Sequence, residues 1–215
     1  KLVYYLSHHV PTGFTDPAGA FGYLNHRFLP GFKTASEFLK WRSKLAMETD
    51  RAKSEKFVQH FRTKYGAEHP ELPGWMVAEL MSFGAMFTLA KNVVPEVQKK
   101  VADDYGFSVD HFISWLHALM VLRNACAHHD RIWNRGSGKA CKTQKNKFPL
   151  WRQKPVIPND RKGYLLTICH YWLGLISPTS CWRERLFALF DEFPEIPLDP
   201  MGLPADWQNH PLWKS

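Results

Sequence analysis

The residues of this chain best suited to chemistry stand together in one segment, Arg123-Asn124-Ala125-Cys126-Ala127-His128-His129-Asp130-Arg131-Ile132-Trp133-Asn134-Arg135. An imidazole, with an ordinary pKa near 6.5, can take the proton from a ribose 2′-hydroxyl or give one to a leaving 5′-oxygen. A guanidinium can hold a phosphate and balance the charge that builds in the transition state. RNA carries its own nucleophile and DNA does not, so acid–base groups beside cations suit RNA cleavage without a metal or cofactor. A solvated polar face is the competing account of the same residues. Zinc suits them less, because Cys126, His128 and His129 splay around a helix instead of falling at i, i+4 or in a CxxC turn. No P-loop, Rossmann fingerprint, GxSxG elbow or HExxH occurs in the chain.

The charge points to the same place. The 215 residues carry 28 Lys+Arg against 20 Asp+Glu, a net charge of +8. From Arg131 to Lys162 there are ten cations, including Arg131, Arg135, Lys139, Lys142, Lys145, Lys147 and Arg152, against Asp160 alone, a net of +9. The other 183 residues hold 18 Lys+Arg and 19 Asp+Glu, a net of −1. Phe148, Leu150 and Trp151 interleave with the cations, and aromatics beside Lys and Arg are what single-stranded nucleic acid uses for stacking and phosphate neutralisation. A solvated surface loop would show the same charge run.

The elements that position these residues are helical. Phe112, Trp115, Leu116, Leu119, Leu122 and Cys126 recur at three- and four-residue steps, marking the core face of a helix from Ser108 to about His129. At 100° per residue, Asn124, His128 and Arg131 lie roughly 180° to 240° from Leu122 and face away from that core. Upstream, Lys1–His9 reads as a helix end, and Thr34, three residues before Glu37, caps a helix with Phe38, Trp41 and Leu45 inward. Further helices are expected over Ser54–Tyr65, from Pro73 up to Pro95 with Glu79 at the edge of its apolar stripe, over Pro95–Tyr105, and near 164–176 and 180–193. No sustained β-type alternation and no repeat is present, so the fold class is all-α, with one domain over 1–193. Residues 194–215, with five prolines, read as an extended tail on which Trp207 and Trp213 dock back.

With 45% apolar and 14% aromatic residues the chain is not disordered. The run Tyr164–Ile176 is too short and too polar for a bilayer span, and four cysteines without a CxxC pair fit a reducing cytoplasm. The start at Lys1, without methionine or signal pattern, reads as a cut point with sequence missing upstream.

Arg123 followed by Asn124 and then His128 resembles the R-x4-6-H signature of HEPN-type RNases, and the longer Arg-Asn-x-x-Ala-His-His-x-Arg-x-Trp-Asn-Arg at 123–135 resembles bacterial abortive-infection proteins of the Abi-like (AbiD/AbiF) group. Ser54–Gly66, the Leu72-Pro73-x-Trp75 to Gly84 stretch and Ser114-Trp115-Leu116 extend the likeness over about residues 1–135. The resemblance implies a helical HEPN bundle, paired so that two copies form one composite site, and an RNA-cleaving toxin of phage defence. It would make Arg123 and His128 the catalytic pair and Asn124 the orienting residue, leaving a 2′,3′-cyclic phosphate and a 5′-hydroxyl without a metal. The RNA contacts would fall to His129, Arg131, Arg135, Lys139, Lys142, Lys145, Lys147, Trp151 and Arg152. Relatives are associated with a non-coding RNA, a second partner for the lysine-rich loop, and usually carry a helical segment upstream of where this chain begins. A non-cleaving RNA-binding module is the alternative. Neutralising Lys142, Lys145 and Lys147 together is expected to weaken RNA binding and flatten its salt dependence; a salt titration of binding checks this.

Overall fold

Thr34 begins the first long helix as its spacing predicts. Its Oγ1 accepts the Glu37 N–H at 3.2 Å, while Glu37 Oε2 accepts the Lys33 N–H at 2.9 Å. The computed structural model describes residues 1–12, 15, 17–143 and 149–214, and among them there are helices and turns and no strand. The chain divides into two compact units, Lys1–Val109 and Asp110–Ser215.

The first unit holds α1 (Leu2–Ser7), α2 (Ala35–Arg51), α3 (Lys56–Tyr65), α4 (Gly74–Leu80), α5 (Phe83–Asn92) and α6 (Pro95–Asp104). Its core gathers Phe38, Trp41 and Leu45 of α2 with Val58, Val77, Leu89 and Val97, one from each of the next four helices. The long Pro- and Gly-bearing segment before α2 is tied to this core through Tyr23, whose hydroxyl donates to the Leu72 carbonyl at 2.7 Å. The single helix expected between Pro73 and Pro95 is in fact two. Ser82 interrupts it, since its Oγ accepts the Ala85 N–H at 3.2 Å and caps α5. Glu48 of α2 holds that cap in place, accepting the Ser82 hydroxyl at 2.7 Å and its N–H at 3.1 Å. Apolar periodicity continues across the break and conceals it, because Met81 and Ser82 change the backbone direction without changing the burial pattern. Glu79 is exposed, outside the stripe.

The second unit is built on α7 (Val109–Ala127), α8 (Lys162–Ile176) and α9 (Trp182–Glu192). Trp115 is fully buried, its ring centroid 4.6 Å from that of Trp151, 6.2 Å from Tyr164 and 6.4 Å from Trp172. Its indole N–H donates to the Lys142 carbonyl at 2.8 Å, and the Lys142 N–H donates to Ser114 Oγ at 3.0 Å. The basic stretch is thereby laid against α7 at Lys142. Of the expected inward face of α7, Phe112, Trp115 and Leu116 are buried, Leu119 and Leu122 are half-buried, and Cys126 is exposed in the last turn.

The proline-rich end is folded, not extended. Leu203, Trp207, His210, Leu212 and Trp213 are all buried, and α10 (Pro211–Lys214) packs on α8. Trp213 stacks on His170 at 4.7 Å and donates its indole N–H to Thr167 Oγ1 at 3.1 Å. Prolines prevent regular structure but not burial, and two tryptophans bury enough apolar surface to order the segment. No described helix is long and apolar enough to cross a membrane, and all four cysteines are free thiols.

Replacing Trp115 by Ala is expected to cost about 3–5 kcal/mol in urea unfolding, the range for deleting a buried aromatic. Trp115→Phe keeps most of the packing but leaves the Lys142 carbonyl without its donor, and should cost less, about 1–3 kcal/mol.

Candidate functional site

The end of α7 carries the site. After Ala127 the chain turns back through a hydrogen-bonded helix stop in which the Asp130 N–H donates to the Ala125 carbonyl at 2.9 Å and the His129 N–H to the Cys126 carbonyl at 3.1 Å. The residue that makes this reversal is His129, with φ of +54°. Glycine commonly fills that left-handed position, and a side chain there is under strain. The turn directs the following segment back along α7 and brings Arg131 and Arg135 to the side on which Asn124 and His128 stand.

These four side chains line one open recess of about 330 Å³. Asn124 lies one turn before His128, whose N–H donates to the Asn124 carbonyl at 3.0 Å. Asp130 is also at the rim and approaches Arg135 at 3.8 Å. The recess is closed on the far side by Gly136, Ser137, Gly138 and Lys162. Gly138 turns the chain with φ of +72° and has open space around it, so glycine serves the backbone there and not a close contact.

Arg123 does not line this recess. It is exposed, and its Nη1 donates to Asn124 Oδ1 at 3.2 Å. His129, given over to the turn, is exposed and is not among the residues lining the recess. Lys139 is exposed. Lys142 is paired with Asp110 at 2.6 Å, and that ammonium lowers the Asp110 carboxyl below its usual range through the hydrogen bond and then through charge attraction. Lys145 and Lys147 lie outside the described residues. Arg152 is exposed at the end of the short turn of helix over Pro149–Arg152.

Trp151 requires a correction. It was expected to offer a face to nucleobases, but it is only 8% exposed, with its ring centroid 5.2 Å from that of Tyr164 and 5.7 Å from Tyr171 as well as against Trp115. Interleaved aromatics in a basic stretch can serve either stacking or the core, and alternation alone does not distinguish them. Here Trp151 is the apolar anchor that returns the stretch to the body.

Two residues of the recess lack a signal in the sequence. Lys162 opens α8 and is counted there as the last of ten cations, yet it is 4% exposed. Gly163 beside it allows the folded C-terminal segment to close over this end of α8, since a Cβ at 163 would meet Leu203 Cδ2 at 2.7 Å. Ser137 has its N–H donated to the Asp160 carbonyl at 2.8 Å and its own carbonyl engaged by the Lys139 N–H at 2.8 Å. Neither position stands out in a run of Lys, Ser and Gly, because Lys162 depends on a segment about forty residues further along and Ser137 on a loop's path.

No curated protein and no solved structure matches the chain. The Abi-like protein family matches residues 1–134, a span that includes Arg123, Asn124, His128 and Arg131 and stops short of Arg135, Ser137 and Lys162. With well over half of its length and the motif end of α7 inside that span, the chain belongs to the Abi-like protein family.

Proposed function

We propose that this chain is a metal-independent endoribonuclease of phage defence, a HEPN-type enzyme of the AbiD/AbiF kind that works on RNA in the cytoplasm as a homodimer. The observation that carries this reading is the convergence of His128 and Asn124 with Arg131 and Arg135 on one recess of about 330 Å³. Membership of the Abi-like family supports the defence role.

In this reading the His128 imidazole exchanges the proton of the 2′-hydroxyl or of the leaving 5′-oxygen, and the guanidinium groups across the recess balance the charge on the phosphorane-like transition state. The 2′-oxygen bonds to phosphorus as the P–O5′ bond breaks, leaving a 2′,3′-cyclic phosphate and a 5′-hydroxyl. Arg123 stands outside the recess of its own chain, which suits a site shared between two copies. The same placement of Arg123 is what favours the second reading, a module that binds RNA, including a partner non-coding RNA, without cutting it.

Labelled RNA incubated with the purified chain in EDTA separates the two. Cleavage is expected, with cyclic-phosphate ends, and His128→Ala should slow it by about 10²- to 10⁴-fold while RNA binding persists. A strict requirement for added metal, or equal cleavage by His128→Ala, would remove the nuclease reading; binding without any cut would establish the second.

A further inference from the structure

Lys162 is buried where a charged ammonium is costly. It is 4% exposed, and among the described residues it has no carboxylate within ion-pair distance and no acceptor within hydrogen-bond distance. Burial lowers its pKa, and the nearby Arg135 guanidinium lowers it further. The neighbouring Cys141 thiol does not offset that charge. Its own burial pushes it up to about 11, so it stays protonated near neutrality. Asp130, the carboxylate at the rim, is turned to Arg135.

On the same wall the Ser137 hydroxyl oxygen is buried without a hydrogen-bond partner among the described residues, although the residue's backbone N–H and carbonyl are both engaged. Buried polar groups in folded proteins are nearly always partnered, and an orphaned one has to be explained. Here an ammonium without a counter-charge and an orphaned hydroxyl line one recess beside two guanidinium groups. An ammonium can only donate and the hydroxyl can donate beside it, so the partner that both lack is an acceptor, and the positive charge of the recess favours an anionic one. A divalent metal ion would be repelled.

We propose that Lys162 and Ser137 form a phosphate subsite in this recess, with Nζ–H and Oγ–H donating to the non-bridging oxygens of a phosphodiester in a bound RNA chain. The inference rests on the reading of the recess as an RNA site. It extends that site beyond the family-matched span, to Ser137 near the beginning of the basic stretch and Lys162 at its end. Lys162 is a binding residue in this account and takes no proton from the substrate.

The test uses the full chain and a short fluorescent RNA with 2′-O-methyl groups throughout, so that binding is read without cleavage. Lys162→Met keeps the aliphatic stem and removes the unpaired charge, so its melting temperature without RNA should equal or exceed that of the wild type. Its affinity for the RNA should fall by about tenfold, and the slope of log affinity against log salt should drop by about one. Ser137→Ala removes only the hydroxyl and stands in if Lys162→Met does not fold. It should weaken binding by roughly threefold to tenfold. Unchanged affinity and slope in both variants would overturn the proposal. Inorganic phosphate is the second probe: if it raises the wild-type melting temperature but not that of Lys162→Met, while the RNA does not bind, the oxyanion subsite stands and its source is free phosphate instead of RNA. Because no arm depends on cleavage, a failure of the His128 chemistry leaves this result intact, and a failure here leaves the His128 chemistry intact.

Discussion

The indole of Trp115 is the contact on which the candidate site depends. Its ring closes the core of the second unit against Trp151, Tyr164 and Trp172, and its N–H holds the Lys142 carbonyl. One side chain thus satisfies two demands at once: it buries a large apolar surface and it pins Lys142, within a strongly cationic stretch, to α7. Like charges in a loop repel one another and favour an open, solvated path. The Trp115 hydrogen bond, the Ser114 hydroxyl and the Lys142–Asp110 pair counter that tendency at one end, and buried Trp151 counters it at the other.

The second constraint is the reversal at His129. A helix that simply ended in solvent would leave Arg131 and Arg135 free to go anywhere. The left-handed backbone at His129 closes the helix stop instead and sends the chain back, so that Arg131 and Arg135, three and seven positions beyond His128, share a recess with it. Retaining a histidine where glycine would be unstrained is a local conflict of the kind that functional segments tolerate. It also explains why the two adjacent histidines are not equivalent: His128 lines the recess and His129 makes the turn.

Much of the helical architecture was legible because the signals were local. Thr34 with Glu37, Pro95 opening α6, and the three- and four-residue apolar steps of α7 each act within one or two turns of chain. The break at Ser82 was not legible, since the residue that stabilises it, Glu48, lies thirty-four positions earlier. Of the C-terminal segment the docking of Trp207 and Trp213 was legible but its helical turns were not, for a related reason. Proline excludes helix and strand by a local rule, whereas the burial of Trp207 and Trp213 comes from surfaces of α8 and α9.

By itself the sequence determined the residue types able to move a proton and hold a phosphate, their grouping at the end of one helix, and the concentration of nearly all excess charge in the stretch that follows. These are properties of composition and short-range spacing, which survive in any all-α arrangement of the chain. Only the tertiary structure decided which of those cations meet His128, which are spent on an ion pair, and which is buried. Arg131, Arg135, Lys142 and Lys162 are equivalent as charges in a sequence. They differ in the fold because burial and counter-charge are set by residues distant along the chain: Asp110 beside Lys142, Asp130 beside Arg135, and Leu203 closing over the glycine next to Lys162.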